Sequence, residues 1–253
     1  MRIASLGSGS RGNATLVQHE RTTLLVDCGF SLRETEKRLG ELGLEATDID
    51  AILITHEHSD HIRGVGTFIR KYPTPVYMTH GTYRVSDIFD QHPCHEILAG
   101  ETLSIKDMSI VPFAVPHDAV EPCQFVFTDG DVRIGLLTDT GMITPHIIDN
   151  LSACTALLLE CNHDIELLQQ GEYPASVKQR VGGDYGHLNN RQAAALLAQM
   201  DTSRLCYLAA MHLSEKHNRP ALARRALSKA LGWRVNDIQV ADQDNGLDWF
   251  QLN

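Results

Sequence analysis

The sequence predicts a layered α/β protein. Short apolar runs recur along the chain, and a polar or glycine-bearing loop follows each of them. Between several of these runs lie segments that carry helix caps. The chain has 253 residues, of which 43% are hydrophobic and 21% charged. That is enough apolar surface for a sizeable core and too much for a disordered chain.

The first elements are strands. Residues 3–6 are apolar, Gly7-Ser8-Gly9-Ser10-Arg11-Gly12-Asn13 is turn chemistry, and residues 15–17 resume a strand. A third strand at Thr22–Val26 ends at Asp27-Cys28-Gly29. Ser31 caps a helix through Leu42, with Glu34 as the matching capping-box residue. Residues 51–54 form a continuous apolar run, the pattern of a buried strand. A helix follows to Tyr72, shaped by Gly64 and Gly66. Further strands are expected at residues 75–78, 109–114, 124–128, 133–138, 156–159 and 205–211. Helices are expected at residues 189–200, capped by Asn189 or Asn190, and at Pro220–Leu231, with proline in its first turn. With neither an internal repeat nor a long linker, residues 1–253 read as one domain.

Composition excludes several classes. No stretch approaches the roughly 20 apolar residues of a membrane span. The N-terminus breaks into glycines before a signal-type apolar region forms, which favours a cytoplasmic location. The six cysteines (28, 94, 123, 154, 161 and 206) include no C-x-x-C pair. They read as free thiols, neither zinc ribbon nor thioredoxin-type pair. The 22 Lys and Arg against 32 Asp and Glu give a net charge of −10. The average hides a gradient, because residues 171–230 hold nine basic and four acidic residues. Lys216 and Arg219 lie in that basic stretch and are candidates for holding a phosphate strand.

The 13 histidines point to metal chemistry. His56, His58, Asp60 and His61 follow directly on the buried run at residues 51–54. Imidazole nitrogens and carboxylate oxygens suit zinc, manganese or iron. The spacing crowds four groups around one tetrahedral ion, and suits two adjacent ions better.

With this cluster the chain resembles the metallo-beta-lactamase-fold superfamily of metallohydrolases, over nearly its whole length. The resemblance implies a four-layer αβ/βα sandwich with a dinuclear site at its edge. It matches Asp27 to the aspartate ending an early strand, and His117 in Val115-Pro116-His117-Asp118 to a third-motif ligand. It also matches Asp139 in Thr138-Asp139-Thr140-Gly141 to the aspartate bridging both ions. His212 in Met211-His212-Leu213-Ser214 matches the last ligand, although His163 also follows a strand. The implied metal set is His56, His58, Asp60, His61, His117, Asp139 and His212.

Within the superfamily the chain is similar to the YycJ-type group, also called WalJ or VicX, described as 5'–3' exodeoxyribonucleases. The segments that carry this are 6–13, Leu159-Glu160-Cys161-Asn162-His163-Asp164, Tyr185-Gly186-His187-Leu188-Asn189-Asn190 and His212-Leu213-Ser214-Glu215-Lys216-His217-Asn218. The resemblance implies two divalent ions, zinc or manganese, that activate a bridging hydroxide against a phosphodiester of nucleic acid, with DNA preferred. Asp60 would orient that hydroxide. By similarity to RNase Z, whose Gly-His motif precedes the final ligand, His187 would contact the scissile phosphate or protonate the leaving oxygen. The competing function is a thioester or lactone hydrolase of the glyoxalase II type, which shares the ligands. Only 41 residues follow His212, which weakens that alternative.

Overall fold

A computed structural model describes residues 1–86 and 94–252. Two compact units interleave along the chain. One comprises residues 1–114, 119–132 and 242–253; the other comprises 115–118 and 133–241.

In the first unit, strands β1 (Arg2–Gly7), β2 (Ala14–His19) and β3 (Thr22–Val26) run antiparallel. β3 then pairs parallel with β4 (Ala51–Leu53), β4 with β5 (Val76–Met78), and β5 with β6 (Cys94–Glu96). The C-terminal strand Leu247–Gln251 closes the other side of this sheet against β1. Strands β7 (Leu103–Ile105), β8 (Met108–Ala114) and β9 (Cys123–Thr128) form an antiparallel meander. The glycine-rich segment after β1 is therefore a hairpin turn. Asn13 closes it by accepting from Gly9 N at 2.9 Å.

Helix α1 (Leu32–Glu41) starts at Ser31, whose hydroxyl accepts from Glu34 N. Glu34 does not complete the expected capping box. Its carboxylate pairs with Arg38 Nε at 2.7 Å, because that buried guanidinium needs a counter-charge. The helix expected up to Tyr72 is two pieces, α2 (Ser59–Ile62) and α3 (Val65–Lys71). Gly64 joins them, and a Cβ there would lie 2.0 Å from Phe30 O. The close approach of the loop after β3 sets the break. Helix α4 (His80–Val85) completes the unit, and its core packs Leu16, Leu25, Ile52 and Phe68.

In the second unit, β10 (Arg133–Leu137), β11 (Ala156–Glu160), β12 (Tyr207–Met211) and β13 (Gln239–Val240) are parallel neighbours in that order. β11 and β12 are buried along their full length, as continuous apolar parallel strands are. Helices α5 (Pro145–Leu151), α6 (Ile165–Gln170), α7 (Ala175–Val181), α8 (Asn190–Gln199) and α9 (Pro220–Leu231) accompany them. Asn189 caps α8 in a capping box with Gln192, and Gly232 ends α9 in the left-handed conformation.

The sheets and helices give the mixed α/β class expected from sequence. Among the described residues, no helix is long and apolar enough to cross a membrane. All six cysteines are free, and burial pushes the Cys28 thiol up to about 12, far from a nucleophilic thiolate.

Candidate metal centre

Each unit carries its own set of donor groups. In the first, β4 delivers the chain into Thr55, the hub of the set. Thr55 N donates to Asp27 Oδ1 at 2.9 Å, and Thr55 Oγ1 donates to Asp27 Oδ2 at 2.9 Å. The hydroxyl has one proton, so it accepts from His56 Nδ1–H at 2.9 Å. His61 Nδ1–H donates to Asp27 Oδ2 at 2.7 Å. Both tautomers are thereby fixed with Nε2 as the lone-pair nitrogen, the form a metal ligand needs. His56 and His61 are fully buried, whereas His58 and Asp60 are half-buried. The His56 ring lies 4.5 Å from that of His58 and 4.1 Å from that of His61, centre to centre.

Backbone bonds hold this loop in place. Cys28 N donates to His61 O at 2.7 Å, and Asn13 N donates to Asp60 O at 2.8 Å. The Asn13 side chain reaches Asp60 Oδ2 at 3.3 Å. Asn13 and Thr55 are contributors that sequence reasoning missed. Hairpin and strand-end residues give no signal until the loops are seen together.

In the second unit the donors stand at the C-terminal ends of parallel strands, the usual place for ligand chemistry in such sheets. Asp139 follows β10, Glu160 ends β11 and His212 follows β12. One donor atom from each of Asp139, Glu160, His187 and His212 lies within 4.8 Å of the others. Glu160 is the missed residue here. Its Oε1 faces His187 Nδ1 at 2.8 Å and His212 Nδ1 at 3.2 Å. Its Oε2 accepts from Thr140 N and Leu188 N, both at 3.0 Å. A carboxylate bonded to both Nδ1 atoms acts as an orienting partner, turning each Nε2 outward. His117 is fixed likewise, with Nδ1–H donating to Gly186 O at 3.0 Å.

Burial alone would depress the His187 pKa and raise that of Glu160. The attraction between the two groups outweighs both penalties. It holds His187 as imidazolium and Glu160 as carboxylate. Asp27, Asp139 and His212 all adopt left-handed backbone, with φ of 61°, 51° and 52°. Such strain in non-glycine residues concentrates at functional sites.

The competing histidine is near the donor set without joining it, for Glu160 and His187 act on it electrostatically. His163 belongs to no group of potential ligands among the described residues, and burial pushes its pKa down to about 4. Lys216 and Arg219 lie in the loop before α9. The Lys216 ammonium sits 5.7 Å from the Tyr173 ring centre. Arg219 Nη1 bonds to the carbonyls of Glu215 and Lys216, each at 3.3 Å.

Residues 22–212 match the family model described as "Beta-lactamase superfamily domain". The chain is 35% identical to exodeoxyribonuclease YycJ of Bacillus anthracis, over 96% of each protein. It is also 35% identical to exodeoxyribonuclease WalJ of Streptococcus pneumoniae, over 98% of this chain and 92% of that one. The chain belongs to the YycJ/WalJ family of the metallo-beta-lactamase superfamily. The crystal structure of the metallo-beta-lactamase fold protein YhfI from Bacillus subtilis superposes with a TM-score of 0.75. It covers 99% of both chains at 16% identity, and this YycJ/WalJ family member therefore has the metallo-beta-lactamase fold. Family membership and the nitrogen and oxygen donors together support binding of divalent metal.

Proposed function

We propose that the chain is a metal-dependent phosphodiesterase acting on nucleic acid, specifically a 5'–3' exodeoxyribonuclease of the cytoplasm. The observation that carries this is 35% identity, over nearly the full length, to two exodeoxyribonucleases, in a chain that holds both donor sets. A thioester hydrolase would share the donors, but the full-length match does not favour it. The interleaving of the two units in sequence favours one functional domain over residues 1–253.

The residues fit two divalent ions, zinc or manganese, with His56, His58, Asp60, His61, His117, Asp139 and His212 as ligands. Such ions, when bound, lower the pKa of water and neutralise phosphate charge. The remaining work belongs to side chains. Asp27, Thr55 and Glu160 fix imidazole orientation. His187, held as imidazolium by Glu160, is placed to give a proton to the leaving oxygen. Asp60 orients the attacking water. Lys216 and Arg219 hold the strand's phosphates.

The test is degradation of 5'-labelled and 3'-labelled single-stranded DNA, RNA and a lactoylglutathione-type thioester by the wild type and Asp60→Ala, with Mn²⁺ or Zn²⁺. Stepwise loss of nucleotides from the 5' end of DNA is expected. EDTA should abolish it, and Asp60→Ala should remove most of it. Nuclease activity that survives the substitution, or thioester turnover alone, overturns the reading.

A further inference from the structure

Beside His187 the second unit exposes an aromatic ring that neither the ligand set nor the proposed chemistry uses. Tyr185 is 65% exposed and Met142 is 38% exposed. These two, with Val235, are the exposed large hydrophobics among the described residues of that unit. Scattered exposed hydrophobics need no explanation. This pair differs in its mounting. Met142 follows Gly141, and a Cβ on Gly141 would lie 2.5 Å from Tyr185 N and 2.3 Å from Asp184 backbone atoms. The two backbone segments therefore touch, and only glycine allows it.

The loop that bears Tyr185 is clamped on every side by backbone bonds. Asp118 N donates to Tyr185 O at 2.9 Å. His187 N donates to Val181 O at 2.9 Å, and Gly186 N to Gly183 O at 2.9 Å. Gly186 O in turn takes the Nδ1–H of His117. A flexible loop could let an aromatic side chain fold back onto the surface. This one holds its ring out at a fixed place, two positions from His187. Arg180, in the last turn of α7 just before this loop, is exposed and lies 3.7 Å from the Asp118 carboxylate, a weak surface pair that a phosphate can displace.

We infer that Tyr185 is a stacking platform for the nucleobase next to the scissile phosphate, with Arg180 alongside for the backbone. Single-strand binding proteins combine these two elements, a π face for any base and a cation for the phosphate. A platform of this kind holds the terminal nucleotide in line with His187 without reading its sequence. The inference rests on the nucleic-acid reading above, and it adds a residue that sets how the substrate is gripped.

The test measures binding apart from turnover. Fluorescence anisotropy of the full-length protein in EDTA is recorded with a 3'-labelled oligothymidylate. The same measurement uses versions that carry one abasic site at successive positions from the 5' end. For the wild type, one abasic position should weaken binding by roughly five- to a hundredfold. Tyr185→Ala should bind that oligonucleotide and the intact one alike, and Tyr185→Trp should restore the difference. In turnover with Mn²⁺, the loss in Tyr185→Ala should appear in KM more than in kcat. A wild type indifferent to every abasic site overturns the platform, as does a Tyr185→Ala variant that keeps the wild-type penalty. A wild type that binds no oligonucleotide in EDTA and degrades none with Mn²⁺ overturns the nucleic-acid reading itself.

Discussion

The two units build comparable donor sets by opposite routes. The first concentrates its donors on one loop, from His56 to His61, and divides their support between a carboxylate and a hydroxyl. Asp27 orients His61, and Thr55 orients His56. The second unit takes Asp139, Glu160 and His212 from the ends of three parallel strands, and two carboxylates, Glu160 and Asp139, both face His187 and His212. A sequence-local cluster can rely on several small supports, because the loop already fixes the spacing. A dispersed set needs a shared partner to fix groups that the chain does not bring together.

This contrast can be broken at its supports. Removing an orienting partner typically costs about 10- to 100-fold in metal affinity or activity. Glu160→Gln should fall at the upper end of that range, because His187 loses the nearer of the two carboxylate charges that keep it protonated and His212 is left with Asp139 Oδ1 as its charged partner. Asp27→Asn should fall at the lower end, since Thr55 still serves His56. Turnover on oligonucleotide and chelator-competition titration of Zn²⁺ or Mn²⁺ measure both. A larger loss in Asp27→Asn would reverse the ranking and remove the contrast.

A second measurement concerns a burden that belongs to the second unit. His163 is buried as a neutral imidazole with its pKa pushed down to about 4. Above pH 6.5 neither the folded nor the unfolded chain protonates it, and it leaves stability unchanged. As pH falls from 6.5 towards 4, the unfolded chain takes up a proton that the folded chain refuses, so stability is lost. The loss reaches about 2 kcal/mol at pH 5. Urea titrations of metal-free protein at pH 7.5 and pH 5 should therefore show His163→Gln losing about 2 kcal/mol less than the wild type. Equal losses would place the acid sensitivity elsewhere.

The smallest effect tests a feature common to both units. Asp27 in one, and Asp139 and His212 in the other, hold left-handed backbone within two residues of a strand's end. In the metal-free protein His212→Gly should be more stable than His212→Ala by about 1 kcal/mol, because only glycine adopts this conformation without penalty. Glycine ordinarily loses that comparison through its greater freedom in the unfolded chain. Urea denaturation of the two variants decides it, and an alanine variant at least as stable would show that the position is unstrained.

Several features were legible in the chain itself, each for a local reason. The cluster from His56 to His61 could be read because its members are neighbours in sequence. The buried strands at 51–54 and 156–159 announced themselves as unbroken apolar runs. Ser31 and Asn189 could be read as caps because capping is an interaction across three residues. Local rules lost where another contact competed. Glu34 turned to Arg38 one helical turn on instead of closing the capping box, and Gly64 split a helix whose neighbour approached too closely.

Tertiary structure alone decided how the dispersed donors are supported. Glu160 meets His212 across 52 residues of chain, and Asp27 meets His61 across 34. No periodicity encodes such distances. It also separated His212 from His163, two histidines with the same signature of following a buried strand. The first emerges beside Asp139 and Glu160, and the second is buried outside the clustered donor groups among the described residues, although Glu160 and His187 still act on it electrostatically. The sequence determined which side chains have metal chemistry to offer. The packing of strand ends against one another decided which of those side chains meet, because hydrogen bonding and metal ligation act over a few ångströms of space, whatever the separation along the chain.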